Sequence, residues 1–153
     1  MRNVVFALGF ALSACLTAAP LAAEAQEAGR VFRMGSLSPA GNPALEGVFL
    51  DAMRGLGYVE GKNLIIERRY ADNRLERLPA LAAELVNLDV DVILATGTVA
   101  PLAAKKVTTT IPVVIWSTGD PVGSGIASSL ARPGGNTTGL TIDSPELAAK
   151  RLQ

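Results

Sequence analysis

The stretch that decides the fold runs from Val90 to Trp116 and reads VDVILATGTVAPLAAKKVTTTIPVVIW. Val90, Val92, Ile93, Leu94 and Ala95 form a near-continuous apolar run, the pattern of a parallel strand covered on both faces. Val113 to Trp116 is a second run of the same kind, with Pro112 at its start, where a missing N–H is tolerated. Between them, Val99 to Lys106 has the length and composition of a short helix. Strand, helix and strand in so few residues make a parallel crossover, which is right-handed in nearly all proteins.

Working outward, the alternation continues in both directions. Val31 to Ser36 reads as a first strand. Leu45, Val48, Phe49, Ala52, Met53 and Leu56 then recur at helical spacing, with Asn42-Pro43 as a start and Gly57 as a stop. Leu64-Ile65-Ile66 runs into Glu67, Arg68 and Arg69, a half-polar strand suited to a sheet edge. The next helix carries Leu75, Leu78, Ala82, Leu85 and Val86. Asn73 with Glu76 resembles a capping box, although Pro79 would move the regular part further along. Beyond Trp116, Val122 to Ala131 is expected as a fourth helix ended by Pro133-Gly134-Gly135, and Thr137 to Ile142 as a fifth strand. Ser144-Pro145-Glu146 has the marks of another helix start. The sum is an α/β fold, a doubly wound parallel five-stranded sheet.

The N-terminus reads differently. Arg2, an uncharged run from Val4 to Ala23 and the Ala23-Glu24-Ala25 ending make a secretory signal peptide over residues 1–25, followed by one domain over 26–153. Leu12-Ser13-Ala14-Cys15 resembles a bacterial lipobox, so lipidation of Cys15 is the alternative to cleavage after Ala25. That alternative would leave an apolar stub, LTAAPLAA, on the mature chain. Acidic and basic residues balance at 14 each, which offers nothing to nucleic acid or an anionic surface. The single Cys lies in the leader and the chain has no His. Thiol chemistry, disulfides, Ser-His-Asp triads and most zinc sites are thereby excluded from the mature domain, and no cofactor is expected.

In open parallel sheets ligands bind beyond the carboxyl ends of the strands. The segments there are Ser36-Leu37-Ser38-Pro39, Thr96-Gly97-Thr98, Ser117-Thr118-Gly119-Asp120 and Thr141-Ile142-Asp143-Ser144. They are small and hydroxyl-bearing, so backbone amides can approach a ligand while hydroxyls donate and accept. The Thr96-Gly97-Thr98 turn opens a helix and could hold a carboxylate. Each loop taken singly is also an ordinary cap or turn; four on one edge point to a polar ligand site. Asp120 could meet a ligand ammonium or hydroxyl, or cap the helix expected to begin near Pro121-Val122. Trp116 reads as core or sheet-face packing. Gly61-Lys62 fails as a P-loop and Gly123-Ser124-Gly125 as a dinucleotide fingerprint, each lacking a required residue. Asn136-Thr137-Thr138 matches a glycosylation acceptor but carries no weight behind a bacterial-looking leader.

The stretches GYVEGKNLIIERRYADNRLERLPALAAELV, VDVILATGT, TTTIPVVIWSTGDPVGSGIASSLARPGGNTTGLT and PELAAKRL together resemble ABC-transporter substrate-binding proteins. The likeness is to the periplasmic type I fold, in the group that includes tryptophan-uptake-like members. It implies a two-lobed periplasmic protein, not an enzyme, that closes on a small-molecule solute and delivers it to an ABC permease. The solute would be an amino acid, aromatic in the first instance, or a sugar. Ligand contacts would come from Ser38, Thr96, Thr98, Thr118 and Asp120. On that reading the chain is the N-terminal lobe, a fragment that stops where the second lobe should begin. Two other classes stay open: an exported flavodoxin-like enzyme restricted to Asp, Glu, Lys and Tyr chemistry, and an inert fragment that binds nothing. A receiver-type signalling domain lacks its acidic cluster, since the third strand ends Ala95-Thr96.

Overall fold

A computed structural model of the protein describes residues 30–141. The expected leader, Cys15, Ile142 and the helix start at Ser144 lie outside the described residues. All the elements belong to a compact unit that begins at Phe32.

The strands are β1 (Phe32–Ser38), β2 (Leu64–Tyr70), β3 (Val92–Thr96), β4 (Val113–Thr118) and β5 (Thr137–Thr141). Three α-helices connect them: α1 (Pro43–Gly55), α2 (Leu78–Asn87) and α3 (Val99–Val107). The sheet order is β2-β1-β3-β4-β5 and every pairing is parallel. The half-polar β2 does lie at an edge, and the two apolar runs β3 and β4 lie inside.

The register sorts side chains onto two faces. Leu37, Ile93, Ala95 and Val113 point one way and pack with Leu78, Leu81, Ala82 and Leu85 of α2 and Ala100, Ala103 and Ala104 of α3. Leu37, Leu85, Ile93 and Val113 are fully buried. Gly35 admits this packing, because a Cβ there would stand 2.9 Å from Leu85 Cδ1.

The opposite face carries Ser36, Ile66, Leu94 and Trp116 beneath α1. Asn42 caps α1 through Oδ1, which accepts from Leu45 N at 3.2 Å, and Gly57 ends it at φ +89°. Yet α1 buries no residue. Val48 and Leu56 are 66% and 74% exposed. A polar clasp holds the helix in place instead: Arg68 on β2 pairs with Glu46 of α1 and with Glu60, and Tyr70 Oη donates to Glu46 at 3.0 Å.

Two expected features are absent. The segment Val122–Ala131 forms turns and bends rather than a helix. Asp120 Oδ1 accepts from Val122 N and Gly123 N and starts a single turn. Gly125, at φ +75°, ends it, and the serines and glycines around it propagate a helix poorly. The capping box also fails. Asn73 sits at φ +60° and donates its N–H to Pro39 O, a 3₁₀ turn occupies Leu75–Arg77, and α2 begins only at Leu78 with Pro79 in its first turn. Pro79 has no N–H to close a longer helix backwards.

Candidate functional site

The carboxyl ends of β1, β3 and β4 carry the expected loops, and hydrogen bonds tie the last two together. Gly97 takes φ +76°, and its N–H donates to Trp116 O at 3.0 Å. Thr118 Oγ1 donates to Gly97 O at 2.8 Å and lies 3.4 Å from Thr98 Oγ1. From β5, Thr141 Oγ1 donates to Thr118 O and Gly119 O at 2.8 and 2.6 Å. Between Trp116 and Thr118 the register slips, and Ser117 adopts φ +61°, a conformation costly for a residue with a Cβ. The bulge is what turns the Thr118 hydroxyl back into the Gly97 turn.

The five expected ligand residues therefore divide. Thr118 is 1% exposed and braces the neighbouring turn. Ser38 is buried, with its hydroxyl donating to Ala40 O at 2.8 Å. Asp120 is exposed and accepts from the two backbone amides of the turn that comes after it. Thr96 and Thr98 are half-buried at the start of α3. Thr98 occupies the N-cap position but makes no side-chain cap bond, unlike Asn42 at α1. Pro101 in the first turn removes one unpaired donor, and the amides before it form the anion-favouring end of the helix dipole.

Beside these loops is a pocket between α1 and the sheet, lined on its apolar side by Met34, Leu45, Phe49, Leu94 and Trp116. Phe49 and Trp116 meet edge-to-face, with centroids 5.8 Å apart and planes at 75°. Ser36, Ser38, Asn42, Glu46, Tyr70 and Thr96 supply its polar groups. Burial, and then the hydrogen bond to Glu46, push the Tyr70 phenol above its ordinary pKa. The hydrogen bond to Arg68 holds the Glu60 carboxyl below the usual range, and Glu60 and Glu46 raise the Arg68 guanidinium. Sequence reasoning assigned Trp116 to packing and passed over Phe49, Glu46 and Tyr70 as site residues. Their shared pocket depends on which sheet face α1 covers, and helical periodicity carries no such signal. Among the described residues no group of His, Cys, Asp and Glu could hold a metal ion, and no helix is long and apolar enough to cross a membrane.

A family model for ABC transporter substrate binding proteins matches residues 38–152. The chain belongs to that family. A "Tyrosine-binding protein" of Clostridioides difficile (strain R20291) is 34% identical over 99 residues, which cover 62% of this chain and 29% of the relative. Among solved structures, a conserved domain protein of Vibrio cholerae O1 biovar El Tor matches with a TM-score of 0.71 at 30% identity, over 80% of this chain and 43% of that one. A ligand-free, open substrate binding protein with adhesive properties from Clostridium difficile matches equally well at 28% identity, with the same coverage. An ABC domain in complex with L-Trp from Streptococcus pneumonia shares the fold, with a TM-score of 0.67 at 23% identity. The chain spans less than half the length of each of these relatives.

Proposed function

We propose that this chain is the first lobe of an extracytoplasmic solute receptor, and that it contributes one wall of a cleft to an amino acid with an aromatic side chain. The observation that carries the reading is the set of loops at the carboxyl edge of β1, β3 and β4. There the first turn of α3, without a side-chain cap at Thr98, favours a carboxylate. Thr96, Thr98 and Asp120 supply polar contacts to the solute's amino and carboxylate groups. Ser38 and Thr118 shape the loops from behind. A second lobe closes the cleft, and the closed form docks on an ABC permease in the cytoplasmic membrane. The protein binds and releases the solute without turnover and needs no cofactor. The tyrosine-binding relative supports the amino-acid class.

The same reading sends the chain to the periplasm by cleavage of residues 1–25, with 26–153 forming the mature lobe. Lipid attachment at Cys15 is the rival, and a Cys15→Ser variant that leaves the membrane fraction would establish it. For the solute, thermal-shift and calorimetric titrations with L-tyrosine, L-tryptophan and simple sugars are decisive. A raised midpoint with an aromatic amino acid is expected, since a ligand that prefers the native state must stabilise it. A response to sugars alone would replace the amino acid. No response to any solute, from this chain and from a version extended by a second lobe, would sink the reading.

A further inference from the structure

The turn that carries Asp120 belongs to no regular element, so its position depends on what ties it down. Asp120 Oδ1 accepts from Val122 N and Gly123 N at 3.1 and 2.8 Å, which caps the turn at its start. Ser124 Oγ donates back to Asp120 O at 2.6 Å, and Thr141 Oγ1 holds the strand side through Gly119 O. These bonds fix the shape of the turn and its link to β5. They do not reach α3, the helix that follows Thr96 and Thr98 on the neighbouring loop.

That connection comes from the other end of the helix. Lys105 lies in the last turn of α3, about 10 Å of helix beyond Thr98. Its Nζ donates to Gly125 O at 3.1 Å and to Ile126 O at 2.5 Å. Gly125, at φ +75°, bends the chain out of the turn, a conformation that glycine adopts without penalty, and two successive carbonyls meet one ammonium there. Ile126 is fully buried, which seats the anchored end. Lys105 is half-buried, whereas Lys106 beside it is exposed. A lysine near a helix end ordinarily lies over the last carbonyls of its own helix; Lys105 crosses to another segment instead. An ammonium has three donors and makes charge-assisted bonds stronger than neutral ones, so it can serve both acceptors at once. The Asp120 turn is thereby held by a carboxylate at its amide end and an ammonium at its carbonyl end, the arrangement its backbone dipoles favour.

We infer that Lys105 is a positioning residue of the solute site and acts through Asp120. By mounting the Asp120 turn on α3, it sets the carboxylate at a fixed offset from the first turn of the same helix. The ammonium and carboxylate ends of one amino acid are then met by two groups carried on a single helix, while Lys105 itself stays out of contact with the solute. The inference rests on the solute-receptor reading above and adds how its polar edge is held ready before the solute arrives. Without the tie, the turn has to be ordered as the solute binds, and affinity falls accordingly.

A double-mutant cycle, read by calorimetric titration of the full chain with L-tyrosine, tests this. Lys105→Met keeps the stem and removes the donor, and it should weaken L-tyrosine about fivefold or more. Lys105→Arg restores charged donors and should recover most of the loss, and the exposed Lys106→Met should change nothing. In an Asp120→Asn background the Oδ1 cap is kept and the charge is gone. There Lys105→Met should weaken the solute less than about twofold, whereas two independent sites would add. A merely structural lysine would lower the urea midpoint equally in both backgrounds and leave affinity unmoved. Should Lys105→Met misfold, Lys105→Gln keeps a neutral donor and carries the same comparison. An equal loss of affinity in both backgrounds, or none in either with the fold intact, would overturn the inference and leave the receptor reading standing. No binding of L-tyrosine by the unaltered chain, alone or extended by a second lobe, would overturn both.

Discussion

Replacing Thr118 by valine separates a brace from a ligand contact. Thr118 is 1% exposed and its hydroxyl donates to Gly97 O at 2.8 Å, while valine keeps the shape and loses the donor. A hydrogen bond of this kind contributes about 0.5–1.5 kcal/mol net. Gly97 is only half-buried, so water can reach its carbonyl and the full penalty of an unpaired buried group does not apply. The added methyl offsets a little more, leaving a loss of about 1 kcal/mol, or about 4 °C in Tm for a domain of this size. Urea unfolding should show a lower midpoint with an unchanged slope, the mark of a stability change without a change in compactness. Solute affinity should fall less than threefold, because the loosened Gly97 turn sits behind the contact surface. An unchanged urea midpoint with a tenfold loss of affinity, about 1.4 kcal/mol, would refute this. Thr118 would then touch the solute directly.

Other perturbations test the same packing. Leu85→Ala should cost about 2–5 kcal/mol by thermal or denaturant unfolding, since the side chain is fully buried against Gly35 and α2 cannot close the gap. Gly139→Ala should cost about 3 kcal/mol or more and open the amides paired between β4 and β5 to hydrogen exchange. At φ +145° its Cβ would stand 2.2 Å from Ile115 O. Acid should weaken the Glu60–Arg68 pair, which ties the segment after α1 to β2. Glu60 titrates lower when folded than the roughly 4.3 of a free glutamate, so its contribution is fully present above that value and lost as pH falls through the folded one. Arg68→Met should remove this step from a stability-versus-pH profile. Val48→Glu, on the exposed flank of α1, should leave stability within about 0.5 kcal/mol, measured by the same urea midpoint.

Much of the fold was legible because it rests on local composition. The apolar runs at Val92–Ala95 and Val113–Trp116, the Asn42-Pro43 start and the Gly57 stop each carry their own signal, and all four stand where expected. The failures are equally instructive. Val122–Ala131 has apolar residues at helical spacing, yet Asp120 closes a tight turn and Gly125 adopts a left-handed conformation. Asn73 and Glu76 have capping-box spacing, but Asn73 is drawn to Pro39 on another loop, a contact that sequence spacing does not encode. For the site, residue type picked out the hydroxyl-bearing loops that follow β1, β3 and β4 at one edge of the sheet. It could not tell that Ser38 and Thr118 are buried while Thr96 and Thr98 are half-buried.

The sequence by itself determined the alternation of strands and helices and the family to which the chain belongs. These rest on periodicity and on motifs contiguous in the chain. Tertiary structure alone decided how the strands are ordered and which sheet face receives α1. It also brought Trp116 to Glu46 and Phe49 around one pocket, although Trp116 stands far from those two α1 residues in the chain. The physical reason is that local propensity acts over a few residues, whereas a pocket is set by register and by which helix covers which face. Here α1 is held by the Arg68 clasp rather than by its own apolar stripe, so the space beneath it stays open.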